Sequence, residues 1–261
     1  MSADLLTVAL AREFAGAWER GVRILAITSL TTLVAGLVAR ATTAPGLAIA
    51  AGFGALDAEP APSLIRGEVA LGAATSPRGP SADTFVALAR GRVGVAVTPA
   101  QLDGSGATNL FQVGGSDQEP GVALPGDRGL PENNDAPGCV WYVFPDHSAR
   151  QLVAQVDSVS GPPPSPGRYR RLLTPLGVFE LQEGWRAVAL ADGVTARDVA
   201  GATSFSIEVP SDVDILVPPS EQEQRALTEV DPLGCRYLEH ASGEELARLA
   251  ASIREAESSS A

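Results

Sequence analysis

Two short strand-like runs, Val22 to Thr28 and Leu47 to Ala51, constrain the fold of this chain more than any other feature. The first is β-branched and aliphatic. Ser29 to Thr32 then supply helix N-cap residues, Leu33 to Ala41 follow at helical spacing, and Pro45 ends the helix. Strand, turn, helix, loop and strand within about 30 residues is the pattern of a parallel βαβ unit. Parallel strands need a crossover lying on a sheet face. The expectation is an α/β fold: an open, mostly parallel sheet with flanking helices.

The rest of the chain continues in kind. Residues 4–20 place Leu5, Val8, Ala9, Phe14 and Trp18 at helical spacing, which predicts an amphipathic helix. Residues 83–90 read as a short helix and Val93 to Val97 as a buried strand. Residues 114–138, rich in Gly, Pro, Asp and Asn, read as a long loop, and loops of that length inside a domain tend to be functional. Cys139 to Phe144 and Leu152 to Val156 read as strands about a Pro145-Asp146-His147 turn. Arg170 to Leu173, Val178 to Leu181 and Arg186 to Ala191 continue the strand series. Thr195 to Thr203, Ser220 to Val230 and Glu244 to Glu257 read as helices, and Glu257 to Ala261 as a disordered tail.

Composition excludes several functions. Acidic residues outnumber basic ones 31 to 19, for a net charge of −12, which argues against nucleic acid or an anionic membrane as partner. Every basic residue is Arg, so Schiff-base chemistry and a P-loop lysine are excluded for this chain. Cys139, Cys235, His147 and His240 are scattered without ligand spacing, so no metal site is expected, and the two cysteines read as buried thiols. The apolar run Ile24 to Ala39 falls short of the roughly 20 residues of a membrane span. Charged residues break up the N-terminus, so no signal peptide is expected and a cytoplasmic location is.

Three local patterns carry a family resemblance. Gln101-Leu-Asp103-Gly104-Ser-Gly106-Ala-Thr-Asn109 resembles the Q-x-D-x-x-G-N-x-N segment of the family I coenzyme A transferases. Thr174-Pro-Leu-Gly177-Val-Phe179, with Val194 to Val199 and Ala202 to Phe205, is similar to that family's N-L-G-V-F … G-V-T-x-x-D-V … T-x-F block. Val156-Asp157-Ser-Val159-Ser160-Gly161 is similar to its V-D-x-V-S/T-x-G segment. Order and spacing agree from about residue 5 to residue 235, and the match is to β subunits of the family. The resemblance implies the transferase α/β fold over residues 1–240, with 241–261 as a helical extension and tail. It also implies a transferase-like α subunit as partner, in a heterodimer or heterotetramer, and coenzyme A arriving only as part of an acyl-CoA substrate, with no bound cofactor.

In the transferases, the strand after an Ala-Pro dipeptide, here Ala44-Pro45, ends in a glutamate nucleophile. Counting from that dipeptide, the position falls on Gly52, followed by Phe53 and Gly54; Glu59 is the nearest glutamate. The glutamyl-CoA route is therefore closed to this chain, and no cysteine replaces the glutamate as in related decarboxylases. The resemblance is nearest to the branch of the family that cleaves rings in bacterial steroid (cholesterol) breakdown. That branch hydrolyses a C–C bond of a cyclic β-keto acyl-CoA with a carboxylate from the α subunit. Its V-R-G-S-P-G-N loop is similar to Asp127-Arg128-Gly129-Leu130-Pro131-Glu132-Asn133, so Arg128 falls on the loop's active-site arginine. This chain departs from the family at Ala107, at Glu132 and in the added helix Gly243 to Glu257.

Each candidate has a structural and a functional reading. Arg128 is either a solvated loop arginine paired with Asp127 or Glu132, or a guanidinium holding a carboxylate or an enolate oxyanion; Glu132 and Asn133 share its loop. Gln101, Asp103 and Asn109 suit a turn that also lines a pocket. Thr28, Ser29 and Thr31 suit an N-cap or an oxyanion or phosphate site at a helix N-terminus. Gly52, Phe53 and Gly54 suit a tight turn or a pocket enlarged by loss of the carboxylate. His147 reads as a surface turn residue. The expected function is a β subunit of an acyl-CoA hydrolase or C–C cleaving enzyme. A CoA transferase or decarboxylase whose catalytic residue lies on the α subunit, and a non-catalytic scaffold, stand as alternatives.

Overall fold

The computed structural model describes residues 2–51, 55–56, 86–88, 90–116, 118–124, 126 and 134–259. The chain divides into two compact units: Ser2–Ala96 together with Val217–Ala261, and Val97–Leu216.

The first unit opens with helix α1 (Ala3–Glu19), whose N-cap Ser2 accepts the Leu5 amide at 3.3 Å. Strand β1 (Ile24–Ile27) leads into α2 (Leu30–Thr42) and then β2 (Ala48–Ala51), the expected βαβ unit. β1 pairs in parallel with β2, Leu25 beside Ile49, and with β4 (Val93–Val97), Leu25 beside Gly94. β4 is buried at every position, as its unbroken apolar run suits in a parallel sheet, whereas β1 fully buries only Leu25. Gly36 lets α2 lie close on that sheet: a Cβ there would stand 3.1 Å from Leu25 and 3.2 Å from Ile49. Strand β3 (Ala55–Leu56) turns back antiparallel to β2, Ala51 beside Ala55. Of the short helix expected at 83–90, Val86 to Leu88 are helical, and most of the remainder lies outside the described residues.

The second unit begins with β5 (Gln101–Asp103) and β6 (Thr108–Asn109), an antiparallel pair. The long loop expected at 114–138 is in part structured. β7 (Gln112–Gly115) and β8 (Pro120–Ala123) form an antiparallel hairpin there. The same glycines that read as loop build it, Gly114 and Gly115 at φ of 66° and 76°. β9 (Cys139–Val143) is wholly buried. β10 is only Leu152–Val153 and pairs in parallel with β5, so the expected strand through Val156 is shortened and makes no hairpin with β9. β11 (Tyr169–Thr174) pairs in parallel with β9, then antiparallel with β12 (Gly177–Leu181), which pairs antiparallel with β13 (Trp185–Leu190). Helix α3 (Ala196–Ala202) carries a capping box between Thr195 and Asp198. β14 (Ile207–Glu208) and β15 (Asp214–Ile215) pair in parallel with β13.

The chain then returns to the first unit through α4 (Glu221–Val230), a 3-10 turn (Cys235–Glu239) and α5 (Gly243–Ser259). Helix α5 buries Ile253 against Cys235 and Leu238, and it continues through Ser259, beyond the expected start of a disordered tail. Among the described residues, no helix is long and apolar enough to cross a membrane.

Candidate functional site

The N-terminus of α2 follows the carboxyl end of β1, where open α/β sheets place ligands. Ser29 caps it: its hydroxyl accepts the Thr32 amide at 3.3 Å while Thr32 Oγ1 accepts the Ser29 amide at 3.0 Å. Thr28 donates its hydroxyl to the carbonyl of Ala96 at 3.2 Å. The next amides do not stand free. The Glu239 carboxylate accepts Leu30 N–H at 2.7 Å and Thr31 N–H at 3.1 Å, so the chain supplies its own anion at this terminus. Thr31 is buried, and its Oγ1 has no hydrogen-bond partner among the described residues.

The Gln101–Asn109 segment and the Val156–Gly161 segment, separate in sequence, lie side by side. Thr108 and Gly161 form a bridge, and Ser160 Oγ accepts the Leu110 amide at 2.9 Å. Asn109, fully buried, donates to Gln101 Oε1 at 2.7 Å and to the Gln112 carbonyl at 2.6 Å, while its Oδ1 accepts Phe111 N–H at 2.9 Å. Gln101 donates onward to Asp157 at 3.1 Å, and Asp157 also accepts the Gly114 amide at 2.8 Å. Asp103 Oδ1 accepts the Ser105 amide at 2.9 Å and the Ala107 amide at 3.2 Å, closing a turn in which Gly106 sits at φ 84°. The structure thus joins Gln101 and Asn109 through Asp157 to the base of the β7–β8 hairpin, while Asp103, on the same strand as Gln101, closes the adjoining turn.

His147 is not the surface residue that turn chemistry suggested. It is 8% exposed, with Nδ1 2.7 Å from Thr174 Oγ1 and Nε2 2.8 Å from Thr203 Oγ1. The Thr203 hydroxyl gives its proton to the Val199 carbonyl at 2.8 Å, so it accepts from Nε2–H, and Nδ1 accepts from Thr174. Burial lowers the pKa of this imidazole to about 4, against a smaller opposing effect of Asp146. The threonines of the second family pattern therefore meet around one neutral histidine, with the Phe179 ring 5.7 Å away. Turn propensity is local, and only the fold brings Thr174 and Thr203 to this ring.

Arg128, Glu132 and Asn133, like Gly52, Phe53 and Gly54, lie outside the described residues. Both flanks of the 127–133 segment are described. Upstream, Leu124 N–H and Gly126 N–H donate to the carbonyls of Phe111 and Leu110 at 2.9 and 3.1 Å. Downstream, Asn134 is fully buried: its Nδ2 donates to Gly106 O at 3.0 Å, and its Oδ1 accepts the Tyr142 hydroxyl at 2.6 Å. Arg170, also fully buried, gives Nε and Nη2 to the Asn134 carbonyl at 2.9 and 2.8 Å and reaches Asp135, Pro137 and Tyr169 carbonyls as well. Burial raises the Tyr142 pKa, so it is a neutral donor here. Asn134, Tyr142, Arg170 and Glu239 were not picked out in the sequence, and His147 was picked out but read as a surface turn residue. The Arg170-Arg171 pair inside the strand pattern was an available signal, since adjacent strand residues face opposite ways and an ionised side chain turned into a core needs a built set of partners. Among the described residues, no group of three or more His, Cys, Asp and Glu is placed to hold a metal ion.

No protein-family model matches the chain. It is 32% identical over 253 residues to the cholesterol ring-cleaving hydrolase IpdB subunit of Rhodococcus jostii, covering 90% of this chain and 94% of that one. A solved structure of Rhodococcus jostii IpdAB matches with a TM-score of 0.77 and 28% identity, over 93% of this chain and 99% of the other. The decarboxylase AibA/AibB matches with a TM-score of 0.79 and 28% identity, over 90% and 97%. Glutaconate coenzyme A-transferase of Acidaminococcus fermentans shares the fold, with a TM-score of 0.75 at 16% identity over 93% and 98%. With a third of its residues identical across nearly its whole length, the chain belongs to the family of the cholesterol ring-cleaving hydrolase IpdB subunits, built on the coenzyme A transferase fold.

Proposed function

We propose that the chain is the β subunit of a hetero-oligomeric acyl-CoA hydrolase that opens a ring of a cyclic β-keto acyl-CoA. The observation that carries this reading is the 32% identity over 90% of the chain to a ring-cleaving hydrolase subunit. The partner is a transferase-like α subunit, as the two-part names of the IpdAB and AibA/AibB relatives suggest. A substrate of the acyl-CoA class and two buried cysteines that form no disulfide suit a cytoplasmic enzyme. Coenzyme A enters as part of the substrate.

The chemistry is a hydrolytic retro-Claisen step. Water adds to the ring ketone and passes a proton to a carboxylate of the partner. The bond from that carbon to the α-carbon breaks, its electron pair becomes the enolate of the acyl-CoA, and the α-carbon then takes a proton. The product is a ring-opened acyl-CoA with a new carboxylate and the elements of one water added. Arg128 is the group of this chain suited to the developing oxyanion, because a guanidinium offers paired donors without itself exchanging a proton. Gly52, followed by Phe53 and Gly54, stands at the sequence position where transferases carry their glutamate nucleophile, so that nucleophile is not this chain's to supply. Thr28, Ser29 and Thr31 at the start of α2 in one unit, and separately Gln101, Asp103 and Asn109 in the other, are the further candidates for contact with substrate. Glu132 and Asn133 accompany Arg128 on its loop.

A decarboxylase reading is favoured by the structural likeness to AibA/AibB. One experiment separates the two. The purified complex is incubated with mono- and bicyclic β-keto acyl-CoAs, and products are weighed by mass spectrometry. A gain of one water with the thioester intact supports ring hydrolysis. Loss of carbon dioxide from a carboxylated acyl-CoA supports decarboxylation, and acetate-dependent exchange of CoA supports transfer; either without ring opening overturns the proposal.

A further inference from the structure

Strands β7 and β8 form a two-stranded sheet of their own, and such a hairpin is marginal in water unless something packs on it. Its inward side is tied down: the Gln112 side chain is buried, and Asp157 accepts the Gly114 amide at 2.8 Å. Its other face is built differently. Val113 lies in register with Val122, and the Leu124 amide, donating to the Phe111 carbonyl at 2.9 Å, carries the pairing one step further. Residues opposite one another, and residues two apart on one strand, share a face. Phe111, Val113, Val122 and Leu124 therefore lie together on the face away from Gln112. Phe111 is 46% and Val122 55% exposed, and β8 is exposed at every position. A single exposed apolar residue needs no explanation, but a set gathered on one face marks a surface that meets another protein.

Charge selects the kind of protein. The run Phe111 to Leu124 contains Asp117 and Glu119 and no basic residue, in a chain of net charge −12. A second copy docked here about a two-fold would set acidic hairpin against acidic hairpin, and like charges across an interface oppose association. The face suits a different chain, with an apolar groove rimmed by basic residues. The relatives IpdAB and AibA/AibB are two-part by name.

We propose that this hairpin face is a docking surface for the α subunit, with Phe111 and Val122 as apolar anchors and Glu119 as a charged contact at the turn. This rests on the reading of the chain as one subunit of a hetero-oligomer, and the hairpin face has no part in the chemistry.

The test uses the full chain and the transferase-like α subunit, with the dissociation constant of the pair as readout. Phe111→Ala and Val122→Glu are each expected to weaken the pair roughly tenfold or more, as loss of a buried anchor does. Glu119→Arg is expected to weaken it roughly threefold, mainly through slower association. Ile215→Glu, on β15 at an equally exposed apolar residue, serves as control and should stay within about twofold of the wild type. A photoreactive amino acid placed at position 122 gives a second readout, and its crosslink should run to the α subunit. A crosslink to a second copy or to nothing, or self-association strengthened by Glu119→Arg, overturns the proposal. Hairpin variants that bind like the wild type overturn the docking surface and leave the two-subunit reading intact. A wild-type chain that forms no complex with the α subunit overturns the two-subunit reading, and the docking surface with it.

Discussion

Glu239 accepts the amide N–H of Leu30 at 2.7 Å, across 209 positions of chain. The turn that delivers it is itself tightly built. Asp231 accepts the amides of Cys235 and Arg236 at 2.8 and 3.1 Å, and the Arg236 guanidinium bonds Asp231 at 2.7 Å and Asp4 at 2.8 Å. The result is a carboxylate on the positive end of α2, bonded to two N–H groups that no helical carbonyl can reach. Glu239→Gln, which keeps the shape and removes the charge, should cost about 1 kcal/mol, and Glu239→Ala about 2 kcal/mol. Urea unfolding at low and high salt checks this. A Gln variant as stable as the wild type at both salts would show that the helix end needs no anion.

His147 makes stability depend on pH. The unfolded histidine takes a proton near 6.5, whereas the folded one resists until about 4. Between those values the unfolded chain binds more protons, so stability falls as pH drops from 6.5 to 4 and this contribution is gone below that. The gap corresponds to about 3 kcal/mol at most. Protonation at Nδ1 would also set a second donor against the buried Thr174 hydroxyl, which already accepts the Leu176 amide at 3.2 Å. Denaturation midpoints measured from pH 7 to pH 4 should fall more steeply for the wild type than for His147→Gln. Parallel curves would rule out the histidine as the cause.

Arg12 joins α1 to α4. Its Nε and Nη2 each stand 2.8 Å from a different oxygen of Glu223, and Nη1 bonds the Val217 carbonyl at 2.7 Å. Arg12, with help from Ser220, holds the Glu223 carboxyl down to about 2. The sign is that of a depressed acid: the stabilisation is present above pH 4.5 and lost as pH falls through 2. Arg12 is partly exposed, so solvent screens the pair, and Glu223→Gln at pH 7 should cost about 1–2 kcal/mol. Thermal melts in low salt give the comparison, and a variant that melts with the wild type would place this pair among the ornamental surface ion pairs.

Much of the fold is legible because it rests on local pattern. The β1–α2–β2 unit, β4, β11 to β13 and the capped helices α3 and α4 follow from periodicity and from Ser and Thr caps at 29, 195 and 220. The β7–β8 hairpin was hidden because Gly114, Gly115, Pro120 and Gly121 are loop residues by composition, and only the pairing across Val113 and Val122 makes them strand. The site residues divide along the same line. Gln101, Asp103 and Asn109 stand in one motif and could be picked out together. Tyr142, His147 and Arg170 belong to no motif, and their partners, Asn134, Thr174 and Thr203, are identified only by the tertiary fold. No composition or spacing signals a histidine whose two hydroxyl partners lie 27 and 56 positions away.

Asn109 tests whether the Gln-x-Asp segment is architecture or binding surface. Its amide is fully buried, and both ends are used inside the protein, toward Gln101, Phe111 and Gln112. A substrate atom would have to break one of these bonds to gain its own. Asn109→Ala leaves Gln101 Oε1 and the Gln112 carbonyl without this donor, though Gln101 Oε1 keeps the Asp157 amide at 3.0 Å. Unpaired buried acceptors cost about 1–3 kcal/mol, so a stability loss of about 2 kcal/mol is expected. Below the melting point of the variant, KM for the acyl-CoA should stay within about twofold of the wild type, since a uniform loss of binding would raise it. A tenfold rise in KM with little change in stability would reverse the assignment and make Asn109 a substrate contact, which would require the buried network to open when substrate binds.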